Sequence, residues 1–160
     1  MEELYTYRQR LLKRFETVVD DLRSAAEGIP AERWQTTLDA SGQTPHRILA
    51  HLRDIEAGAL SVRLRRILDE EHPYLKLFDD DGWMELHYNP GEPPQAILDD
   101  YARLRQEELG WLESLPPQDW NRAGRHPWWG LRALQWWVEQ TLVYANQHLA
   151  KLLEAGDQAC

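Results

Sequence analysis

Four stretches of this chain place apolar residues at intervals of three and four, the spacing that lines up side chains on one face of an α-helix. The stretches run from about residue 3 to 27, from Thr44-Pro45 onward, from Pro93-Pro94 onward, and from near Gly130 to just before Gly156. No segment alternates in the manner of a β-strand for long. Because four amphipathic helices of roughly 20 to 27 residues bury their apolar faces most economically against one another, the sequence predicts an all-α fold, a four-helix bundle.

The apolar positions also predict which face of each helix is buried. Gly28 and Pro30 end the first helix, while Thr44 can cap the second, with Pro45 in its first position. The predicted inward-facing residues are Leu4, Tyr7, Leu11, Phe15, Val18, Leu22 and Ala25; Ile48, Leu52, Ile55, Ala59 and Val62; Ile97, Tyr101, Leu104, Leu112 and Leu115; and Leu134, Trp137, Thr141, Tyr144, His148 and Leu152. Each helix should therefore bury one stripe and expose the opposite face.

The connection from about residue 71 to 92 is the longest in the chain. At about 3.3 Å per extended residue it could travel the whole length of a bundle. We therefore expect a long crossover between helices 2 and 3, which makes those two helices parallel. The shorter connections, between helices 1 and 2 and between helices 3 and 4, can link antiparallel neighbours. A long segment without structure of its own is often functional.

Composition and charge exclude several classes of protein. The 160 residues suit one domain with one core. Acidic residues outnumber basic ones by 27 to 18, and the resulting net charge of −9 repels phosphate backbones, so we expect no nucleic-acid partner. No apolar run is long enough to cross a bilayer, and the charged N-terminus is not a signal peptide. The single cysteine, Cys160, cannot form an internal disulfide, which indicates a cytoplasmic protein.

Tryptophan is unusually abundant, with eight residues of which four crowd into WWGLRALQWW. Rings of this size usually build a core or an interface. Trp136 and Trp137 lie about 100° apart on one helix, so both cannot face one narrow core stripe. We therefore expect a homodimer, with Trp136 as the better candidate for the interface.

Several polar residues lie on or beside the predicted buried faces. His51 flanks the stripe of the second helix, and Tyr144 and His148 share the inner face of the fourth. Imidazoles that converge from two helices suit zinc, nickel or iron. Glu108 falls in the centre of the third stripe, with Arg105 one turn before it. A buried carboxylate must pair internally, face a wet cavity or change its pKa.

Each of these residues also has a purely structural interpretation. A histidine near an apolar stripe is more often a hydrogen-bonded core residue than a ligand, and Tyr144 would be a core aromatic. Glu108 and Arg105 would form a structural ion pair. His46, His72 and His87 stand at a helix start or in loops and would be solvated.

Two segments carry a resemblance to a known family. TPHRILAHLRDIE and RHPWWGLRALQWWVEQTLVYANQHLAKL resemble the second helix and the closing segment of the DinB/YfiT-like superfamily. The latter has a His-Pro and a glycine before the last helix. The stretch after helix 2 also fits, in the pattern P-x-L-x-x-F-D-x-D-x-W. The likeness covers nearly the whole chain, and the order and spacing of the motifs are more specific than any one of them.

The resemblance implies one DinB-type bundle domain over residues 1–160, often dimeric, with one divalent metal held by three inward histidines. The first and third match His51 and His148, and the second matches Tyr144, where this chain departs from the pattern. A phenol ionises near pH 10 and is a poorer ligand than imidazole at neutral pH unless the metal removes its proton. The resemblance further implies metal-assisted chemistry, either that of a hydrolase or that of a low-molecular-weight-thiol S-transferase.

Two hypotheses follow. In the first, the protein is a metal-dependent enzyme that binds zinc, nickel or iron through His51 and His148. Tyr144 is then a third ligand or a proton donor, Glu108 or His126 acts as a base, and a thiol or another small molecule is the substrate. In the second, the metal site is lost, and the bundle is a non-catalytic, dimeric binder of small molecules or a scaffold.

Overall fold

The computed structural model describes residues 2–157, so that the expectation for Cys160 lies outside the described residues. Its helices are α1 (Glu2–Glu27), α2 (Pro45–Ile55), α3 (Ser61–Asp69), α4 (Asp80–His87), α5 (Pro94–Leu112) and α6 (Leu134–Asp157). A π-helical turn, Glu56–Leu60, joins α2 and α3 into one continuous helix over residues 45–69, the second bundle helix. Strands β1 (Ala123–His126) and β2 (Gly130–Ala133) form an antiparallel hairpin, and Ala31–Arg33 and Pro117–Asn121 are 3₁₀ turns.

Four long helices, α1, the second bundle helix, α5 and α6, form the predicted bundle. Helix α1 packs against α5 and α6, and α2 packs against the same two helices. The first and second bundle helices therefore lie diagonally across the bundle, α1 opposite α2, and so do the third and fourth, α5 opposite α6. The expectation that the shorter connections link adjacent helices was wrong, because these connections cross the end of the bundle.

The crossover prediction is confirmed by contacts between the second bundle helix and α5. Arg53 pairs with Asp100, and one turn further along both helices Glu56 pairs with Arg105. Because residue numbers rise together along the two helices, they run parallel. The long connection between them must return from one end of the bundle to the other.

That connection nevertheless has structure of its own, contrary to expectation. Tyr74 bridges Arg125 of the hairpin, and the Leu75 amide donates to the Arg125 carbonyl at 2.8 Å. The Asp79 side chain then caps α4 by accepting from the Gly82 amide. This cap fixes Asp80 as the first residue of α4, where it faces the second bundle helix.

The core consists of two apolar clusters with a polar layer between them. One cluster includes Leu22, Leu52, Ile97 and Leu152 and fills one end of the bundle. The other includes Phe15, Leu64, Leu109 and Trp137 and fills the opposite end. The polar layer consists of Glu56, Arg105 and Glu108, which are buried. Along each helix, these residues come after residues of the first cluster and before residues of the second.

The π-helical turn changes which residues of the second bundle helix face inward. It adds one residue to a helical turn and so rotates the following residues by about 100°. Val62, predicted to be buried, is 46% exposed, whereas Leu64 and Ile67 are buried. Arg63 is also turned inward and is 8% exposed. The regular α-helical spacing assumed for this segment was therefore wrong after residue 60.

Most of the other predicted stripe residues are buried, with a few exceptions. Leu4 and Tyr7 are exposed near the start of α1, and Leu104, Leu115 and Tyr144 are only partly buried. Helix α6 begins at Leu134 and continues through Gly156 to Asp157, so both of its predicted ends were wrong. The hairpin before it was not predicted, because strands of four residues are too short to show alternation. Gly130 makes its turn with φ of 70°, a conformation that favours glycine.

In the part of the chain that the structure describes, no helix is both long and apolar enough to span a membrane.

Candidate functional site

The imidazoles of His51 and His148 meet inside the bundle. His51 Nδ1 lies 3.0 Å from His148 Nε2, with the two rings roughly parallel. The remaining nitrogens are also held: His51 Nε2 lies 2.7 Å from Asp80 Oδ2, and His148 Nδ1 lies 2.7 Å from the carbonyl oxygen of Tyr144. The structure therefore brings together the two histidines that the sequence singled out, and adds Asp80.

The outer partners determine where the protons of the two rings are. The Tyr144 carbonyl can only accept, so His148 Nδ1 carries its proton and His148 Nε2 presents a lone pair. The Asp80 carboxylate likewise accepts from His51 Nε2. Two nitrogens 3.0 Å apart cannot both present lone pairs without a cation between them. A proton on His51 Nδ1 or a metal ion must therefore occupy the space between the rings.

His148 remains neutral in this arrangement. Burial and, to a lesser extent, the neighbouring charges of His51 and Lys151 together lower its pKa to about 4, against the opposing hydrogen bond to the Tyr144 carbonyl. A neutral imidazole with a free Nε2 is the form that binds metals.

The pair fits the requirements for two ligands of a divalent ion. Nitrogens that each lie about 2.0–2.1 Å from one zinc at the tetrahedral angle are about 3.3 Å apart, close to the observed 3.0 Å. Ligating histidines usually donate their second N–H to a carboxylate or a backbone carbonyl, and Asp80 and the Tyr144 carbonyl fill these roles. Among residues 2–157, however, no three His, Cys, Asp or Glu side chains form a group that could hold an ion. The arrangement thus provides two ligands rather than three.

Tyr144, where the resemblance implies a histidine, contributes its backbone rather than its phenol to the pair. Its side chain is half-buried and lines a cavity of about 140 Å³ beside the histidines. No hydrogen bond joins its hydroxyl to either imidazole within the described chain. A third ligand would require the phenol to move from the cavity wall toward the histidines.

The cavity lies between the second bundle helix, the long connection, the hairpin and α6. Its polar lining residues are Arg63, Asp80, His126 and Tyr144, and its aromatic ones are Phe78, Trp128 and Trp129. Asp80 is shared with the histidine pair. A molecule in the cavity would therefore lie next to the pair.

His126 lies in an aromatic enclosure on the wall of this cavity. Its Nδ1 accepts from the Trp128 amide at 3.1 Å, and its ring stacks on Trp129 with the centroids 4.3 Å apart. Burial lowers its pKa, and the charge of Arg63 lowers it further. His126 is therefore neutral at pH 7, with its proton on Nε2, and can donate a hydrogen bond to a ligand.

Glu108 is not one of the residues that line the cavity. It is fully buried, and its Oε1 accepts from Arg105 Nε at 3.0 Å. Arg105 also donates to Glu56, to the Tyr101 hydroxyl and to the Phe15 carbonyl. Of the roles considered for Glu108, the structure thus favours the internal ion pair.

The sequence-based prediction missed two residues of the site, Asp80 and Arg63, and it was wrong about the burial of one histidine outside the site. Asp80 is the middle one of three consecutive aspartates, and the sequence does not show which of them contacts His51. The cap by Asp79 fixes Asp80 as the first residue of α4. Arg63 is buried because of the π-helical turn. His46, expected to be solvated, is buried, with its nitrogens 2.7 Å from the Tyr88 hydroxyl and 2.6 Å from the Glu92 carbonyl.

The sequence profile of the DinB superfamily matches residues 9–152 of the chain. This chain belongs to the DinB superfamily. It is 30% identical over 118 residues to a protein of Oceanobacillus iheyensis named "Putative metal-dependent hydrolase". It is 24% identical over 120 residues to YfiT of Bacillus subtilis, which carries the same name. The matches cover 74% and 75% of this chain but only 62% and 67% of the relatives, so each relative is considerably longer than its matched part.

The fold of this DinB-superfamily protein is also that of a solved structure. YfiT from Bacillus subtilis, described as "a probable metal-dependent hydrolase with an unusual four-helix bundle topology", aligns with a TM-score of 0.86. The alignment covers 95% of this chain and 87% of YfiT at 22% sequence identity. At this identity the likeness establishes the four-helix-bundle fold.

Proposed function

We propose that this DinB-superfamily protein is a metal-dependent hydrolase in which His51 and His148 would hold one divalent ion. The observation that carries the proposal is the orientation of the two rings. Their facing nitrogens are 3.0 Å apart, and both outer nitrogens are already bonded to acceptors. The names of the curated relatives support the same chemistry.

Each residue of the site has a distinct part in this proposal. Asp80 and the Tyr144 carbonyl orient the two ligands and keep their outer nitrogens protonated. A bound ion would supply a water of lowered pKa, which is a nucleophile at neutral pH. The Tyr144 phenol and His126 Nε2 lie on the cavity wall, where they can donate protons to a substrate. Tyr144 alternatively serves as a third ligand. Glu108 has only a structural role, in contrast to the base considered from the sequence.

Metal analysis tests the proposal directly. Protein purified without a histidine tag should contain zinc, nickel or iron, and either His51→Ala or His148→Ala should abolish the metal content. His87→Ala is the control, because His87 is exposed on α4. Equal metal content in all variants would place the ion elsewhere and overturn the proposal.

A thiol S-transferase would use the same ion to bind a thiolate, so activity assays separate the two reaction types. A hydrolase should cleave an ester or amide in the absence of any thiol. A transferase should consume a low-molecular-weight thiol together with an electrophile. In both cases His51→Ala should reduce the rate to background.

The second candidate is a non-catalytic binding protein that has lost the metal. Tyr144 favours it, because the phenol stands where the superfamily pattern has a histidine. In this case a proton on His51 Nδ1 bridges the two rings. Wild-type protein that takes up no zinc, nickel or iron on titration would support this candidate over the enzyme.

A further inference from the structure

Arg63 is a buried cation whose guanidinium contacts no carboxylate of residues 2–157. It is 8% exposed, and the described residues offer it no ion pair. Its Nε has no hydrogen-bond partner, and its Nη2 makes one long contact of 3.4 Å with the Lys76 carbonyl. The guanidinium otherwise packs over the Trp137 ring at 5.4 Å. A guanidinium has five N–H donors, and in Arg63 the Nε–H is buried with no acceptor.

Such an arrangement is unfavourable unless an anion completes it. Burial lowers the pKa of Arg63, which reflects the free-energy cost of removing its charge from water. Of the two other buried arginines, Arg105 is paired with two carboxylates, and the Arg8 side chain donates two hydrogen bonds to uncharged acceptors. Arg63 instead lies on the wall of the cavity next to the histidine pair. The missing countercharge is therefore expected from a molecule in that cavity.

The rest of the cavity wall suits an organic acid. Tyr144 and His126 can donate hydrogen bonds, and Trp128, Trp129 and Phe78 provide apolar surface. An engineered cavity of about 150 Å³ in another protein holds benzene, so about 140 Å³ accommodates one ring or a short chain. The planar fork of a guanidinium matches a carboxylate with two parallel hydrogen bonds.

We propose that the cavity recognises a small carboxylate-bearing molecule, with the carboxylate on Arg63 and the apolar part against Trp128 and Trp129. This inference names the substrate class for the proposed hydrolase and to that extent rests on it. Binding of the acid itself depends on Arg63 and not on the ion. Asp80 adds a negative charge to the same wall, which favours a singly charged carboxylate over a phosphate dianion.

Calorimetric titration of chelator-treated protein with benzoate, benzamide and inorganic phosphate tests the proposal. Benzoate and benzamide have the same shape and differ in charge. We expect benzoate to bind at least about tenfold more tightly than benzamide, because charge-assisted hydrogen bonds are stronger than neutral ones. Phosphate should bind more weakly than benzoate.

Substitutions of Arg63 identify the site. Arg63→Met should remove the preference for benzoate, and Arg63→Lys should keep part of it, because lysine retains the charge but not the fork. Arg65→Met is the control, since Arg65 is an exposed residue of the same helix. Removal of an unpaired buried charge should leave the thermal midpoint of Arg63→Met unchanged or higher. If that variant does not fold, Arg63→Lys decides the outcome.

Equal binding of benzoate and benzamide, or no binding of either, would overturn the proposal. Tighter binding of phosphate than of benzoate would overturn the assignment to carboxylates. A benzoate preference that survives in Arg63→Met, or that is undiminished in Arg63→Lys, would place the acid elsewhere. Because the titration uses metal-free protein, its result does not depend on metal binding. If the protein prefers benzoate but binds no metal, the carboxylate site is supported and the proposed metal-dependent hydrolase is overturned.

Discussion

Glu56 of the second bundle helix and Glu108 of α5 bind the same buried guanidinium, that of Arg105. Each carboxylate has one oxygen on Arg105, at 3.3 Å for Glu56 and 3.0 Å for Glu108. The second oxygen of each is buried without a donor. Two carboxylates that share one cation would leave a net negative charge in the core. A proton held by Glu108 and donated to Glu56 satisfies both free oxygens.

This shared proton makes stability depend on pH. Burial raises the pKa of Glu108 well above its ordinary value of 4.5, and the charge of Glu56 raises it further, against the opposing effect of Arg105. The folded state therefore binds the proton more tightly than the unfolded chain. The stabilisation is complete below about pH 4.5 and is lost as the pH rises toward the raised pKa.

Glu108→Gln should remove this dependence, because the amide can donate to Glu56 and accept from Arg105 without titrating. Above about pH 5, the free energy of unfolding of wild type should fall relative to that of the variant by up to about 1.4 kcal/mol per pH unit. Urea denaturation at a series of pH values measures the difference. Glu107→Gln, at an exposed position, is the control and should follow wild type. Parallel curves for wild type and Glu108→Gln would exclude a proton on Glu108.

Tyr144→His should strengthen the binding of zinc or nickel, on the order of tenfold or more, because it adds a third imidazole to His51 and His148. Positions 144 and 148 share one face of α6. An imidazole, unlike a phenol, binds a metal at neutral pH without first losing a proton. Calorimetry with chelator-treated protein measures the gain.

The gain should disappear when His51→Ala is added to Tyr144→His, because two ligands from one helix rarely suffice for a closed site. Unchanged affinity in the Tyr144→His single variant would mean that the three positions do not converge on one ion. His148 would then be a core histidine.

Asp80→Asn should weaken metal binding by about tenfold, since the substitution removes the charge that orients His51 and increases its basicity. The amide oxygen can still accept from His51 Nε2, so the fold should be retained. Asp81→Asn is the matched control, because Asp81 is the next residue of α4 and is exposed. Equal loss in both variants would indicate a general effect of charge rather than the contact with His51.

The tryptophan excess still leads us to expect a homodimer. Trp136, the interface candidate, is half-buried in its own chain against Trp129, Trp137 and Arg132. Trp128 is 73% exposed on the hairpin and offers more free apolar surface. Light scattering at high micromolar concentration should give about twice the chain mass of 18.8 kDa. A monomeric mass at that concentration would contradict the expectation.

The number of bundle helices and the parallel pair could be predicted because they depend on local features. The apolar spacing, the Thr44 cap and the length of one connection can each be read from a short segment of the sequence. The diagonal arrangement of consecutive helices could not be predicted, since connections of moderate length reach either a neighbouring or a diagonal helix. The hairpin was missed because its strands of four residues are too short to show alternation in the sequence.

The sequence by itself determined the four long helices, most of their buried faces, and the convergence of His51 and His148 on the bundle interior. In the second bundle helix the predicted face holds only as far as residue 60. Only the tertiary structure decided the rest of the site. Periodicity places a residue on a helix face, but the partners of that residue come from other elements. Asp80 meets His51 through the long connection, and Glu108 meets Glu56 through helix packing. Arg63 is buried because one π-helical turn rotates the end of its helix by about 100°.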